Sequence, residues 1–188
     1  MKKRTMIRIG LLALVIVAMG GLAYAANRAA DGPGATTKAP PSSDKKGLPI
    51  EQVTLQGSVF NLEVAANPTD IARGLSKRVE IPPNSGMIFV FSSGNDRSFW
   101  MIDCLVDMDI AYLSADGTVL SVYTMKKEAP RGEREPAAEY EARLKRYLSG
   151  PGAQFVIETP AGTNEALKIK PGVKVALNRK RLMSFLPR

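Results

Sequence analysis

Histidine is absent from this chain of 188 residues, and cysteine occurs only once, at Cys104. The absence of histidine excludes a Ser-His-Asp or Cys-His catalytic arrangement, a histidine general base and a histidine-liganded zinc site. A single cysteine excludes an internal disulfide framework, an iron–sulfur cluster and a zinc site built from several cysteines. We therefore expect no cofactor in this protein.

The excess of basic residues is concentrated at the N-terminus. Without Lys2, Lys3, Arg4 and Arg8, the formal net charge of +8 falls to +4. The other basic residues are spread along the chain, apart from short clusters at 126–127 and 179–181. We interpret these clusters as solvated strand ends and expect no nucleic-acid partner.

The N-terminus carries the pattern of an export signal. The basic segment MKKRTMIR precedes an uncharged apolar run from Ile9 to Ala23. Small residues at Ala23 and Ala25 then stand where a signal peptidase cleaves. We predict a signal peptide over residues 1–25 and an exported protein, periplasmic or extracellular. If the segment stays uncleaved, it would tether the domain to the membrane, although the run is short for a bilayer span.

The remaining chain divides into a linker and a domain. Residues 26–47 are rich in Ala, Pro, Gly, Ser and Thr and have no apolar periodicity, which predicts a flexible linker. Hydrophobic residues make up 45% of the chain and charged residues 23%, as in globular proteins. Residues 48–188 are therefore predicted to form a single β-rich globular domain.

The pattern of this domain is mostly that of β-strands. Alternating residues predict a hairpin over 52–64, and Asp116-Gly117 predicts a second one over 110–123. Further strands are predicted at 87–91, 97–104, 154–158 and 173–177. Asn67-Pro68 predicts a short helix that ends at Gly74, and 136–148 is predicted as the longer helix. We expect an α+β fold with a mainly antiparallel sheet or barrel-like core.

Several motifs in this domain occur in order at close spacing. They are Ala72-Arg73-Gly74-Leu75, Arg78, Gly86-Met87-Ile88-Phe89-Val90-Phe91, Phe99-Trp100-Met101, Met108-Asp109-Ile110, Asp116-Gly117-Thr118-Val119, Glu158 and Ala161-Gly162-Thr163. Together they resemble the family catalogued as domain of unknown function 192, over about residues 52–175. The resemblance implies a compact β-rich fold and little about activity, because the family has no agreed biochemical function.

The chain departs from the family's usual pattern in two places. Ile102, Asp103 and Cys104 stand where the family usually has a basic or polar residue, then asparagine and threonine. Ser76 stands where methionine is usual. If the usual residues contact a ligand, this protein binds something different or nothing.

The stretch around Trp100, the only tryptophan, is the first candidate site. In a strand over 97–104, Arg97 and Asp103 would end a face built from aromatic and methionine residues, opposite 87–91. One interpretation is a core face with a capped rim. The other is a ligand pocket, in which Trp100 stacks on a planar ligand while Arg73 and Arg78 hold a carboxylate or phosphate.

Three acids form a second candidate. Asp103, Asp107 and Asp109 could offer oxygen ligands to a cation, but they lack the glycine-bearing loop of a known calcium motif, so we predict no metal site. Asp103 and Asp109 could instead act as the two carboxylates of a hydrolase. The ordinary interpretation is that Asp109 is buried and paired with an arginine. Cys104 is expected to be an inert buried thiol, since no histidine can activate it.

The leading hypothesis is non-catalytic binding of a small or extended polar ligand, or of a cell-envelope component. The predicted binding residues are Arg73, Arg78, Trp100, Asp103 and Asp109. One alternative is a hydrolase that uses Asp103 and Asp109. Another is a structural or partner-binding module that presents the helix at 136–148. The membrane is expected as a partner only through an uncleaved N-terminal segment.

Overall fold

The computed structural model describes residues 47–187. The predicted signal peptide and nearly all of the predicted linker lie outside these residues. None of the helices within 47–187 is long and apolar enough to cross a bilayer. In order, the elements are β1 (Ile50–Leu55), β2 (Ser58–Ala65), α1 (Pro68–Arg73), β3 (Ser85–Asn95), β4 (Ser98–Phe99), β5 (Met108–Leu113), β6 (Val119–Met125), α2 (Ala137–Arg143), β7 (Tyr147–Leu148), β8 (Ala153–Pro160), α3 (Thr163–Ala166) and α4 (Arg179–Met183).

Six strands form one sheet, in the order β1-β2-β3-β8-β5-β6. Every neighbouring pair is antiparallel except β2 and β3, which run parallel. The sheet is open: residues 174 and 176 make only isolated bridges, to Thr118 next to β6 and to Thr54 in β1. The predicted α+β fold with a mainly antiparallel sheet is confirmed, and the sheet does not close into a barrel.

Both predicted hairpins are confirmed. Buried and exposed residues alternate along β1, which matches the alternation in its sequence. Gln56 and Gly57 join it to β2 with φ of 46° and 88°, as a two-residue hairpin turn requires. The second hairpin pairs β5 with β6 around Asp116-Gly117.

The short helix α1 is confirmed with its predicted ends. The side chain of Asn67 accepts a hydrogen bond from the backbone nitrogen of Asp70 at 3.0 Å, and Pro68 follows the cap. Gly74 ends the helix with φ of 49°. The chain then continues at the mouth of a cavity described below.

The sheet is covered on both faces. One face packs against the C-terminal part of the chain, including Val175 and Leu182. The other face packs against Leu75, Met101 and Tyr147. The strands at the centre of the sheet are therefore buried on both sides, as their nearly continuous apolar sequences predict.

The predicted strand over residues 97–104 is wrong. Only β4 is extended, and it pairs with β7 rather than with β3. Met101 to Cys104 form a turn, in which Asp103 has φ of 53° and Cys104 N donates to Met101 O at 3.2 Å. The apolar side chains of this stretch are inside because the loop packs against the sheet, so their spacing reflects packing and not strand pairing.

Two further element predictions need correction. Of the helix predicted at 136–148, only α2 forms. Leu144 is extended with ψ of 134°, and Tyr147 pairs with Phe99 in the two-stranded sheet of β4 and β7. Tertiary pairing thus overrides the helical pattern of the last turn. Residues 173–177, predicted as a strand, make only the two isolated bridges to the edges of the sheet.

Candidate functional site

A cavity of about 330 Å³ opens beside α1, on the sheet face that carries Met87 and Tyr112. Its wall combines α1 and the following turn with β3, β8 and the loop that contains β4. Most of the wall is apolar. The lining residues are Ile71, Ala72, Arg73, Gly74, Leu75, Ser76, Phe89, Ser98, Phe99, Trp100, Ile102, Cys104 and Glu158.

Of the residues described in the structure, Glu158 is the only carboxylic acid in this wall. It lies in the middle of the sheet, because β8 sets it opposite Met87 of β3 and Ile110 of β5. The residue is only 5% exposed, and its carboxyl group makes no hydrogen bond or ion pair with any part of the chain that the structure describes. Burial raises the pKa of the Glu158 carboxyl from its ordinary 4.5 to about 8.

Three aromatic side chains share the cavity with Glu158. Phe89 and Phe99 meet edge to face, with ring centroids 4.9 Å apart. The Trp100 ring is covered by Arg146, whose guanidinium carbon is 3.8 Å from the ring centroid. The indole Nε1 of Trp100 is buried and donates no hydrogen bond to any residue between 47 and 187. The wall around Glu158 is thus largely aromatic.

Arg73 lies at the cavity, as predicted for a binding residue, but it already has an acid partner. Its Nη2 is 2.5 Å from Asp70 Oδ1 within α1, and its side chain is 54% exposed. An ion pair between exposed side chains at (i, i+3) contributes little free energy, so Arg73 can leave Asp70 easily. Arg73 can therefore approach a ligand at the mouth without contributing to the interior of the cavity.

Arg78 lies away from this cavity and has a structural partner. Its two terminal nitrogens donate to the two carboxyl oxygens of Glu63 at 2.6 and 2.7 Å. This bidentate pair raises the pKa of Arg78, chiefly through the hydrogen bond to Glu63. The residue anchors the turn after α1 to β2, and its partner is Glu63 rather than Asp109.

Asp109 is fully buried, as expected, but it is not paired with an arginine. Thr124 Oγ1 donates to Asp109 Oδ1 at 2.7 Å, and the backbone nitrogen of Asn164 donates to Oδ2 at 2.7 Å. Both oxygens are therefore occupied by neutral donors. The acid connects β5 to β6 and to the start of α3, which is a structural task.

Asp103 faces a second cavity of about 510 Å³, and not the one that contains Glu158. It is exposed in its turn, with one carboxyl oxygen 3.9 Å from the ammonium of Lys77. Lys127, Glu128 and Tyr140 also line this second cavity. Asp103 is thus exposed to solvent while Asp109 is sealed in the sheet, so the structure does not bring these two acids together across a cleft.

Cys104 lines both cavities and is half-buried. Burial, together with the nearby acids Glu158 and Asp103, raises the pKa of its thiol to about 12. A thiol that stays protonated is a poor nucleophile and a poor metal ligand. Within residues 47–187, no group of three or more acids and cysteines is placed to hold a metal ion.

Of the predicted site residues, the structure brings Arg73 and Trp100 to one cavity. Arg78 and Asp109 line neither of the two cavities, and Asp103 lines the second. Glu158 is not among the predicted site residues, although it is one of the residues on which the family resemblance rests. The sequence does contain a sign of this residue, because Glu158 is an acid within the mostly apolar segment 153–160. An acid inside a central strand is rarely solvated.

This chain matches a family model, and solved structures from two organisms are similar to it. DUF192, described as "Uncharacterized ACR", matches residues 51–177. A protein of unknown function from Novosphingobium aromaticivorans DSM 12444 is 26% identical, with a TM-score of 0.57 over 75% of this chain and 94% of that one. A proposed transcription regulator from Sinorhizobium meliloti 1021 is 24% identical, with a TM-score of 0.56 over 71% and 97%, and this likeness shows the fold alone. A search of curated proteins found no match.

Proposed function

Because the chain belongs to the DUF192 family, which is described as uncharacterised, we propose its function from the cavity beside α1. The domain binds a small molecule there without transforming it. The ligand has an apolar body and one polar group, which meets Glu158. This ligand differs from the small or extended polar ligand expected from the sequence, because the wall around Glu158 is mostly apolar.

One observation carries this proposal, namely a buried acid without a partner that faces an open cavity. Burying a carboxyl group without a hydrogen bond costs free energy, and folded proteins rarely keep such a group without a use for it. A concave apolar wall with one convergent polar group is the usual form of a small-molecule site. A strongly perturbed pKa in a cleft supports the same interpretation.

Binding explains this cavity better than catalysis does. A two-carboxylate hydrolase needs a second acid across the substrate, and the described part of the chain places no acid other than Glu158 in the wall. The thiol of Cys104 is held protonated, so it is no nucleophile for covalent chemistry. The alternative hydrolase with Asp103 and Asp109 would need both acids to reach the substrate with free carboxyl oxygens. Asp109 is fully buried, and both of its carboxyl oxygens already accept hydrogen bonds.

A pair of substitutions on α1 tests the site. Ala72 is exposed and lines the cavity, whereas Thr69 is exposed on the same helix and does not. We expect Ala72→Phe to fill the mouth and abolish ligand binding, while Thr69→Phe leaves it unchanged. Neither residue is in the core, so both variants should keep the wild-type unfolding temperature.

The readouts are thermal shift and the fluorescence of Trp100, which is the only tryptophan of the chain and a wall residue. The screen uses small aromatic and aliphatic amines, alcohols and carboxylic acids. A ligand specific to the folded state raises the midpoint by mass action. The proposal fails if no compound shifts either signal, or if every hit acts equally on Ala72→Phe.

The cellular location is part of the proposal. The basic segment and apolar run before Ala25 support export to the periplasm or the exterior. We expect the mature protein to begin at Ala26. N-terminal sequencing of the protein purified from its native cells tests this, and a mature chain that still begins at Met1 would mean a tether or no export.

A further inference from the structure

We infer that the ligand of this cavity is an organic ammonium ion, whose charge pairs with an ionised Glu158 while its apolar body lies among the aromatic rings. This inference rests on the proposed binding function and names the ligand class. Two features of the cavity support it, namely the negative charge of an ionised Glu158 and the aromatic side chains around it.

Among the residues that the structure describes, the interior of the cavity has an acid and no base to neutralise it. Within the same residues Arg73 is the only cation in the wall, and it is solvated at the mouth and paired with Asp70. A ligand that brings a positive charge to Glu158 replaces the missing partner. A buried carboxylate gains most from such a partner, because the attraction is little screened where water is excluded.

Within residues 47–187, no other titratable side chain near Glu158 changes its charge close to neutral pH. Cys104 faces it from the loop after β4, and its pKa of about 12 keeps the thiol neutral. On β5 the residue opposite Glu158 is the uncharged Ile110. Tyr112, two residues further along β5, donates its hydroxyl to Tyr147 O, and burial raises the pKa of this phenol above its ordinary value. From β3 the contacting residue is Met87, which carries no charge. A change of affinity between pH 6 and 8 therefore reports on Glu158.

The aromatic wall is the second feature that selects a cation. Phe89, Phe99 and Trp100 surround the same space. Cations are attracted to aromatic faces, and a carboxylate among aromatic rings is the usual recognition set for ammonium groups. Trp100 already holds one cation in this way, since the guanidinium of Arg146 stacks on it. An anionic ligand would gain nothing from the faces of these rings, and it would be repelled wherever Glu158 is ionised.

Three probes with the same phenyl body separate the possible charges. They are 2-phenylethylamine, which like lysine stays protonated through pH 8, neutral 2-phenylethanol, and anionic 3-phenylpropanoate. Binding is followed by Trp100 fluorescence and calorimetry at pH 6 and pH 8. A cation needs ionised Glu158, so the amine should bind roughly tenfold or more tightly at pH 8 than at pH 6.

Glu158→Gln should remove both the affinity for the amine and its pH dependence. Ala72→Phe blocks the mouth without touching the acid, so it should also abolish binding, and Thr69→Phe should not. If the alcohol or the phenylpropanoate binds in an Ala72→Phe-sensitive way and the amine does not, the ammonium inference is wrong and the binding function stands. If none of the three binds the wild-type protein, the inference is overturned, and the broader screen decides the binding function.

Discussion

The stability of the folded domain should fall as pH rises from about 5 to 8, and Glu158→Gln should abolish this fall. In the unfolded chain the Glu158 carboxyl has its ordinary pKa of 4.5, whereas in the fold the pKa is about 8. Between these values the folded state holds a proton that the unfolded state has released. Each pH unit therefore costs the folded state about 1.4 kcal/mol, and the whole interval costs on the order of 4 kcal/mol.

The change of stability between pH 5 and 8 can be assigned to Glu158, because the chain has no histidine that would titrate in this range. The Cys104 thiol, with its pKa raised to about 12, destabilises the fold only above pH 9. On the acid side, Lys174 holds the pKa of Asp116 below its ordinary range, and Arg143 lowers that of Glu135 to about 2. Their contributions are lost as pH falls below about 4, so stability should be greatest near pH 5.

Urea unfolding at half-unit steps from pH 5 to 8 measures the slope. Glu139→Gln is the matched control, since it removes an exposed glutamate from α2 and should keep the wild-type slope. At pH 8 the Glu158→Gln protein should be more stable than the wild type. A wild-type profile that is flat across the window would mean that Glu158 is solvated or paired, contrary to the structure.

The second large effect is expected for Gly86→Ala. At Gly86, which lies in β3 beside β8, an added Cβ would stand 2.0 Å from the carbonyl oxygen of Glu158. That oxygen belongs to the backbone of a central strand and cannot rotate away. The two strands must separate, and overpacking of this kind costs on the order of 3 kcal/mol. The same shift would displace Glu158 from the cavity.

Gly47→Ala is the control for this substitution, because a Cβ at Gly47 meets nothing within 4 Å. Chemical denaturation of both variants at pH 5 separates the effect from the ionisation of Glu158. We expect a large loss of stability for Gly86→Ala and almost none for Gly47→Ala. Equal stability of the two variants would show that β3 and β8 have room that the structure does not give them.

Local signals explain what the sequence could predict of the fold. The hairpin at Gln56-Gly57, the hairpin at Asp116-Gly117 and the start of α1 at Asn67 are each specified by a few neighbouring residues. The stretch 97–104 has no such signal. Its apolar residues are buried because a loop packs against the sheet, and a pattern of period two cannot distinguish that loop from a strand.

The site depends even more on distant parts of the chain. Glu158 is buried because β3 and β5 lie on either side of β8 and the loop after β4 covers it. Nothing next to Glu158 in the sequence indicates this cover. The partners of Arg78 and Asp109 could not be predicted from the sequence either. Each residue is recognisable as one that needs a partner, but only the tertiary fold brings Glu63 to Arg78 and Thr124 to Asp109.

Titration of the Glu158 carboxyl itself shows whether this acid is buried without a partner. Carbon-13 NMR of protein labelled at the glutamate carboxyl carbons would follow it from pH 4 to 9, with the resonance assigned by its loss in Glu158→Gln. A buried Glu158 without a partner should titrate with a midpoint near pH 8 in the free protein. A midpoint near the ordinary value of 4.5 would show that Glu158 is solvated or paired, and would contradict its role as the unpartnered anchor of a ligand site.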